Sequence, residues 1–155
     1  MSLHESGENY LETILLLQRR NGFVRAVDVA NELGYTKASI SRAMRILREN
    51  GYILIAHSGQ ITLTEAGMDK ACDIYERHCV ITQFLMQPLQ LDMDAADADA
   101  CRIEHVVSEE TFERLKATRK LSGKAVISSD EYNFGSARKR YGSFGADPVY
   151  PQKPP

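Results

Sequence analysis

The sequence predicts a mainly α chain: an N-terminal winged helix-turn-helix domain over residues 1–64, an all-helical domain over 65–121, and a tail over 122–155. Three observations predict it. Two short stretches of helical periodicity meet at Gly34-Tyr35, two β-rich runs flank His57-Ser58-Gly59, and the apolar spacing beyond Thr64 stays helical to Leu121. A length of 155 residues with 43% hydrophobic side chains suits one domain, or two small ones sharing a core.

The first helix spans Glu8 to Arg20, with Tyr10, Ile14 and Leu17 spaced i, i+4, i+7 and backed by Leu11 and Leu15. Asn21-Gly22 ends it. A second helix runs from Val24 to Leu33, with Val27, Val29, Ala30 and Leu33 in register. After the turn, a third runs from Lys37 to Asn50, and Gly51 closes it. The third helix turns Ile40, Met44 and Leu47 inward and presents Thr36, Lys37, Ser39, Ser41, Arg42 and Arg45 on its other face. Hydroxyls and cations without a carboxylate before Glu49 point to a DNA-recognition helix. Residues 52–56 and 60–64 form a hairpin, which directly after such a helix is a wing.

Thr64 caps a long helix from Glu65 to Met86 whose stripe includes Ala71, Ile74, Tyr75, His78, Ile81, Thr82 and Leu85. Pro88 and residues 89–92 interrupt it, and a helix resumes from Asp94 to His105. Ser108 caps a last one, Glu109 to Leu121, with Phe112 and Leu115 inward. Three helices with surplus apolar surface suggest dimerisation. Beyond Ser122, Gly, Ser and Pro dominate, which reads as a mobile tail.

The net charge of −2 is unevenly spread. Residues 1–64 carry seven Lys/Arg against six Asp/Glu, residues 65–121 seven against twelve, and residues 122–155 five against three. The acidic middle is a poor nucleic-acid surface and a good cation site. Any DNA contact falls to the first segment. No stretch approaches the roughly 18 apolar residues of a membrane span, and the N-terminus lacks an export pattern, so a cytoplasmic protein with no membrane partner is expected. Cys72, Cys79 and Cys101 then read as free thiols or ligands, the first two as buried structural ones.

Chemistry concentrates in Cys101-Arg102-Ile103-Glu104-His105. A thiolate, a carboxylate and an imidazole at i, i+3 and i+4 share one helical face and make half a shell for a divalent transition metal. The remaining donors are sought in Asn9, Glu12 and His78. Glu8-Asn9-Tyr10-Leu11-Glu12-Thr13-Ile14, the winged unit, Tyr75-Glu76-Arg77-His78 and residues 101–108 together resemble the diphtheria toxin repressor family of metal-dependent regulators, which includes the manganese transport regulators. The resemblance covers roughly residues 5–121.

It implies a homodimeric repressor, with Fe(II) or Mn(II) as corepressor, that binds a palindromic double-stranded DNA operator of metal homeostasis genes. It implies Glu12, His78, Cys101, Glu104 and His105 as metal ligands. Asn9 matches neither the Met of iron-type members nor the Asp of manganese-type ones. Cys101 follows the iron-type pattern. Asp97 could join His78 in an ancillary site, although Thr82 stands where that site often has a carboxylate.

Two other classes compete. A zinc peptidase would need His where Cys101 stands, and no nucleophile turn or second acidic motif supports hydrolysis, so neither an enzyme nor a small-molecule substrate is expected. The other is a winged regulator sensing an oxidant or small molecule through Cys101 or Cys79.

Overall fold

The computed structural model describes residues 5–121, with side chains to Thr118; the expected tail lies outside the described residues. Six helices and one two-stranded antiparallel sheet follow in the order α1 (Glu5–Asn21), α2 (Ala26–Leu33), α3 (Lys37–Glu49), β1 (Ile53–Ile55), β2 (Ile61–Leu63), α4 (Glu65–Met86), α5 (Met93–Ile103) and α6 (Glu109–Leu121). The chain divides into two compact units between Cys72 and Asp73.

In the first unit α1 buries every residue from Leu11 to Leu17, including Glu12 and Thr13. A helix covered on all sides here was not visible as a simple stripe. Gly22, at φ 68°, ends α1 with its N–H on Gln18 O. The chain then stays extended at Arg25, whose residue bridges Gln60, while Val24 O accepts from Ile61 N at 2.8 Å. This edge pairing, which supplies Val24 with a backbone partner outside any helix, is why α2 starts at Ala26 instead of at Val24. Val27, in register with Val29 and Ala30, is 41% exposed while those two are buried. Asp28 reaches back to Arg25 N at 2.7 Å and closes the first turn.

Between α2 and α3 the chain reverses at Gly34, whose φ of 67° only glycine adopts without cost. The N–H groups of Gly34 and Tyr35 both turn back to Ala30 O. Thr36 then caps α3, its Oγ1 accepting from Ser39 N at 3.2 Å. Ile40, Met44 and Leu47 are buried as their spacing predicts. Arg20 joins α1 to α2 through a two-point pair with Glu32, 3.1 and 2.6 Å.

The wing pairs Ile53 with Leu63, Leu54 with Thr62 and Ile55 with Ile61. Period-2 alternation buries Ile53, Ile61 and Leu63 and leaves Leu54 62% exposed. The base of the wing is locked to the start of α4: Thr64 N donates to Tyr52 O, Thr64 Oγ1 donates to Gly51 O at 2.7 Å and accepts from Gly67 N at 3.1 Å. Gly67 has a packing reason. A Cβ there would stand 1.9 Å from Tyr52 O.

In the second unit Asp92, which the sequence reading placed in an interruption, caps α5 by accepting from Ala95 N at 2.9 Å. Ser108 caps α6, accepting from Thr111 N. Arg77 of α4 donates to Val107 O at 2.8 Å, pairs with Glu109, and lays its guanidinium 4.9 Å from the centroid of the buried Phe112 ring. One side chain thereby docks α6 on α4. Cys79 is buried as expected, whereas Cys72 is only half-buried.

Candidate metal centre and nucleic-acid interface

His78 lies on the buried stripe of α4, 3% exposed, with both ring nitrogens against carboxylates of the same unit. Its Nδ1 is 2.6 Å from Glu104 Oε2 and its Nε2 is 2.9 Å from Asp97 Oδ1. His105 Nε2 approaches the other oxygen, Glu104 Oε1, at 3.3 Å. Two imidazoles and two carboxylates thus form one cluster with almost no exposed side-chain surface.

The helix that carries this cluster is shorter than the sequence periodicity predicts. α5 ends at Ile103, Glu104 is its C-cap, still right-handed with its N–H on Ala100 O, and His105 lies in the turn beyond. Cys101, Glu104 and His105 are therefore not three steps of one regular helix. Leaving the helix at Glu104 buries that carboxylate completely, while Cys101, on the last turn of α5, stays half-buried.

A carboxylate at 0% exposure is stable only against compensating charge or hydrogen bonds. Glu104 Oε1 has no hydrogen bond of acceptable geometry among the described residues. An oxygen so placed, beside imidazoles, fits a divalent first-row cation. In the other unit Glu12 is likewise a carboxylate with no exposed surface, on α1 among Leu11, Ile14 and Leu15. Asn9 precedes it by three residues, its carbonyl accepting from Thr13 Oγ1 at 2.8 Å.

The predicted recognition face is exposed throughout at Thr36, Lys37, Ser39, Ser41, Arg42 and Arg45. Thr36 and Ser39 also serve the helix, through the cap and a 2.9 Å contact between their hydroxyls. Arg45 stands 4.0 Å from Glu49, a loose exposed pair that leaves its charge available to phosphate. Beside α3, burial and then the neighbouring Tyr35 push the Tyr10 phenol pKa upward.

Residues 2–60 match the N-terminal DNA-binding domain of iron-dependent repressors, and residues 64–120 match their metal-binding and dimerisation domain. The chain belongs to the iron-dependent repressor family. It is a metal-dependent transcriptional repressor with a DNA-binding domain and a metal-binding and dimerisation domain. It is 34% identical over 115 residues to an HTH-type transcriptional regulator of Methanocaldococcus jannaschii, covering 74% of this chain and 92% of that one. The transcriptional regulator MntR of Escherichia coli O157:H7 is 32% identical over 109 residues, 70% of either chain. A manganese-dependent transcriptional repressor solved with manganese superposes with a TM-score of 0.67 at 28% identity, over 72% of this repressor and 51% of that chain. The repressor spans about half the length of the curated iron-dependent repressors it matches, 49% for IdeR of Mycobacterium tuberculosis. Among the described residues, no helix is long and apolar enough to cross a membrane.

Proposed function

We propose that this repressor is a cytoplasmic homodimer that binds a palindromic operator when Fe(II) or Mn(II) occupies a site built from Glu12, His78, Cys101, Glu104 and His105. The observation that carries the reading is the buried His78–Glu104–His105 cluster, whose charge is arranged for a cation. Asn9 offers a neutral carbonyl as a further donor. Residues 1–64 serve as the DNA-binding domain and 65–121 as the metal-binding and dimerisation domain. No small-molecule substrate is called for.

Bound there, the metal would supply the positive charge that the proposed carboxylate, imidazole and thiolate donors complement. Donors drawn from α1 and from the helical unit make one conformer of the chain the better metal binder, and that conformer is populated on binding. If it sets two α3 helices about 34 Å apart, one turn of DNA, metal and operator affinities are coupled. On α3, Arg42 and Ser39 suit base edges, while Lys37 and Arg45 suit phosphates.

The test is operator binding under anaerobic conditions across Mn(II), Fe(II), Co(II), Ni(II) and Zn(II). Stimulation by at least one of the first two, lost on chelation, is the expected result. Equal binding with and without metal refutes the reading.

A further inference from the structure

We propose that Asp97 is a positioning residue for the metal centre: by accepting a hydrogen bond from His78 Nε2 it holds the imidazole in the tautomer whose Nδ1 ligates the ion beside Glu104. The inference rests on the reading of His78 and Glu104 as ligands. An imidazole has one nitrogen to give to a metal, and the other then carries hydrogen and needs an acceptor. Here the two nitrogens face different partners on opposite ring edges, Glu104 Oε2 at 2.6 Å and Asp97 Oδ1 at 2.9 Å. Glu104 belongs to the cluster that includes His105; Asp97 comes from the middle of α5 and is 5% exposed.

Thr82 adds no carboxylate to Asp97 at Nε2. Placed one turn after His78, it donates Oγ1 to His78 O at 2.8 Å. On this side of the ring Asp97 is the carboxylate in contact with Nε2, which is the arrangement by which an outer carboxylate fixes a ligating histidine and raises its basicity. The same threonine bond pins the backbone of His78, so Asp97 controls ring rotation about a fixed base.

Wild-type protein loaded with diamagnetic Zn(II) tests the tautomer directly. Nitrogen-15 spectra of the His78 ring should show the proton on Nε2, and a proton on Nδ1 overturns the proposal. Asp97→Asn, Asp97→Ala, Glu104→Gln and His78→Ala are then titrated with Mn(II) and Zn(II), with folding followed by circular dichroism. Asp97→Ala should weaken binding about 10–100-fold at unchanged stoichiometry. Asp97→Asn, which keeps an acceptor oxygen, should recover part of the loss. A missing equivalent of metal in Asp97→Asn makes Asp97 a ligand and overturns the positioning role. Wild-type affinity in Asp97→Ala with weak binding in Glu104→Gln also overturns that role while sparing the ligand reading. Wild-type affinity in His78→Ala overturns both.

Discussion

Glu104 combines complete burial with a 2.6 Å approach to His78, so its charge can be removed without changing its volume and the consequence read directly. Glu104→Gln should leave a folded protein, since the amide still bonds His78, and should lower metal affinity by more than the about 100-fold upper range of outer-partner losses. DNA binding in a mobility-shift assay should then stop responding to metal; an unchanged response would remove Glu104 from the site. Cys101 is the softest donor of the proposed set, and thiolates favour Fe(II), Co(II) or Zn(II) over Mn(II). Cys101→Glu should therefore shift activation towards Mn(II), measured as the ratio of half-activating Mn(II) and Co(II) concentrations. An unaltered ratio would make Cys101 a packing thiol. On α3, Arg42→Ala should relax base preference, whereas Lys37→Ala should weaken all sequences alike and reduce the slope of log affinity against log salt by about 0.9. Identical profiles for the two variants would refute the division between base and phosphate contacts.

The junction of wing and α4 is where an element depends most on a single atom. Gly67 must lack a Cβ because Tyr52 O would be 1.9 Å from it, and that carbonyl is already tied to Thr64 N. Gly67→Ala improves intrinsic helix propensity, yet should destabilise the protein by about 1–3 kcal/mol because backbone has to move. Gly59, at φ 83° with open space around it, is the contrast: Gly59→Ala should cost only the left-handed penalty of about 1–2 kcal/mol and leave α4 untouched. Thermal melts order the variants, and hydrogen exchange at the first turn of α4 separates them. Increased exchange there in Gly59→Ala alone would contradict this account. The helix ends follow simple chemistry: Thr36, Thr64, Asp92 and Ser108 each cap the helix that follows, although the role of Asp92 is plain only once α5 is seen to begin at Met93.

At the scale of the whole molecule, if metal binding raises operator affinity as proposed, operator must raise metal affinity by the same factor. Calorimetric metal titrations with and without operator, set against DNA titrations with and without metal, should give equal ratios, and chelation should reverse both. Unequal ratios would mean that a second process, such as dimerisation, carries the coupling. The sequence alone was enough for the six helices, the wing, the inward Ile40–Met44–Leu47 stripe and the exposed basic face of α3, because these follow from local periodicity, capping and turn chemistry. It also singled out His78, Glu104 and His105, which the structure brings into one cluster. Tertiary structure alone decided that Val24 pairs at a sheet edge instead of opening α2, that all of Leu11–Leu17 is buried, and that Gly67 lies under Tyr52 O. It alone gave the Asp97 partner, which the sequence had set beside His78 only as a candidate, its contact with Nε2, and Glu104 its place at the end of α5. Local rules report what a residue's neighbours in sequence permit, whereas burial, edge pairing and the facing of two carboxylates on one imidazole depend on groups that only packing brings together.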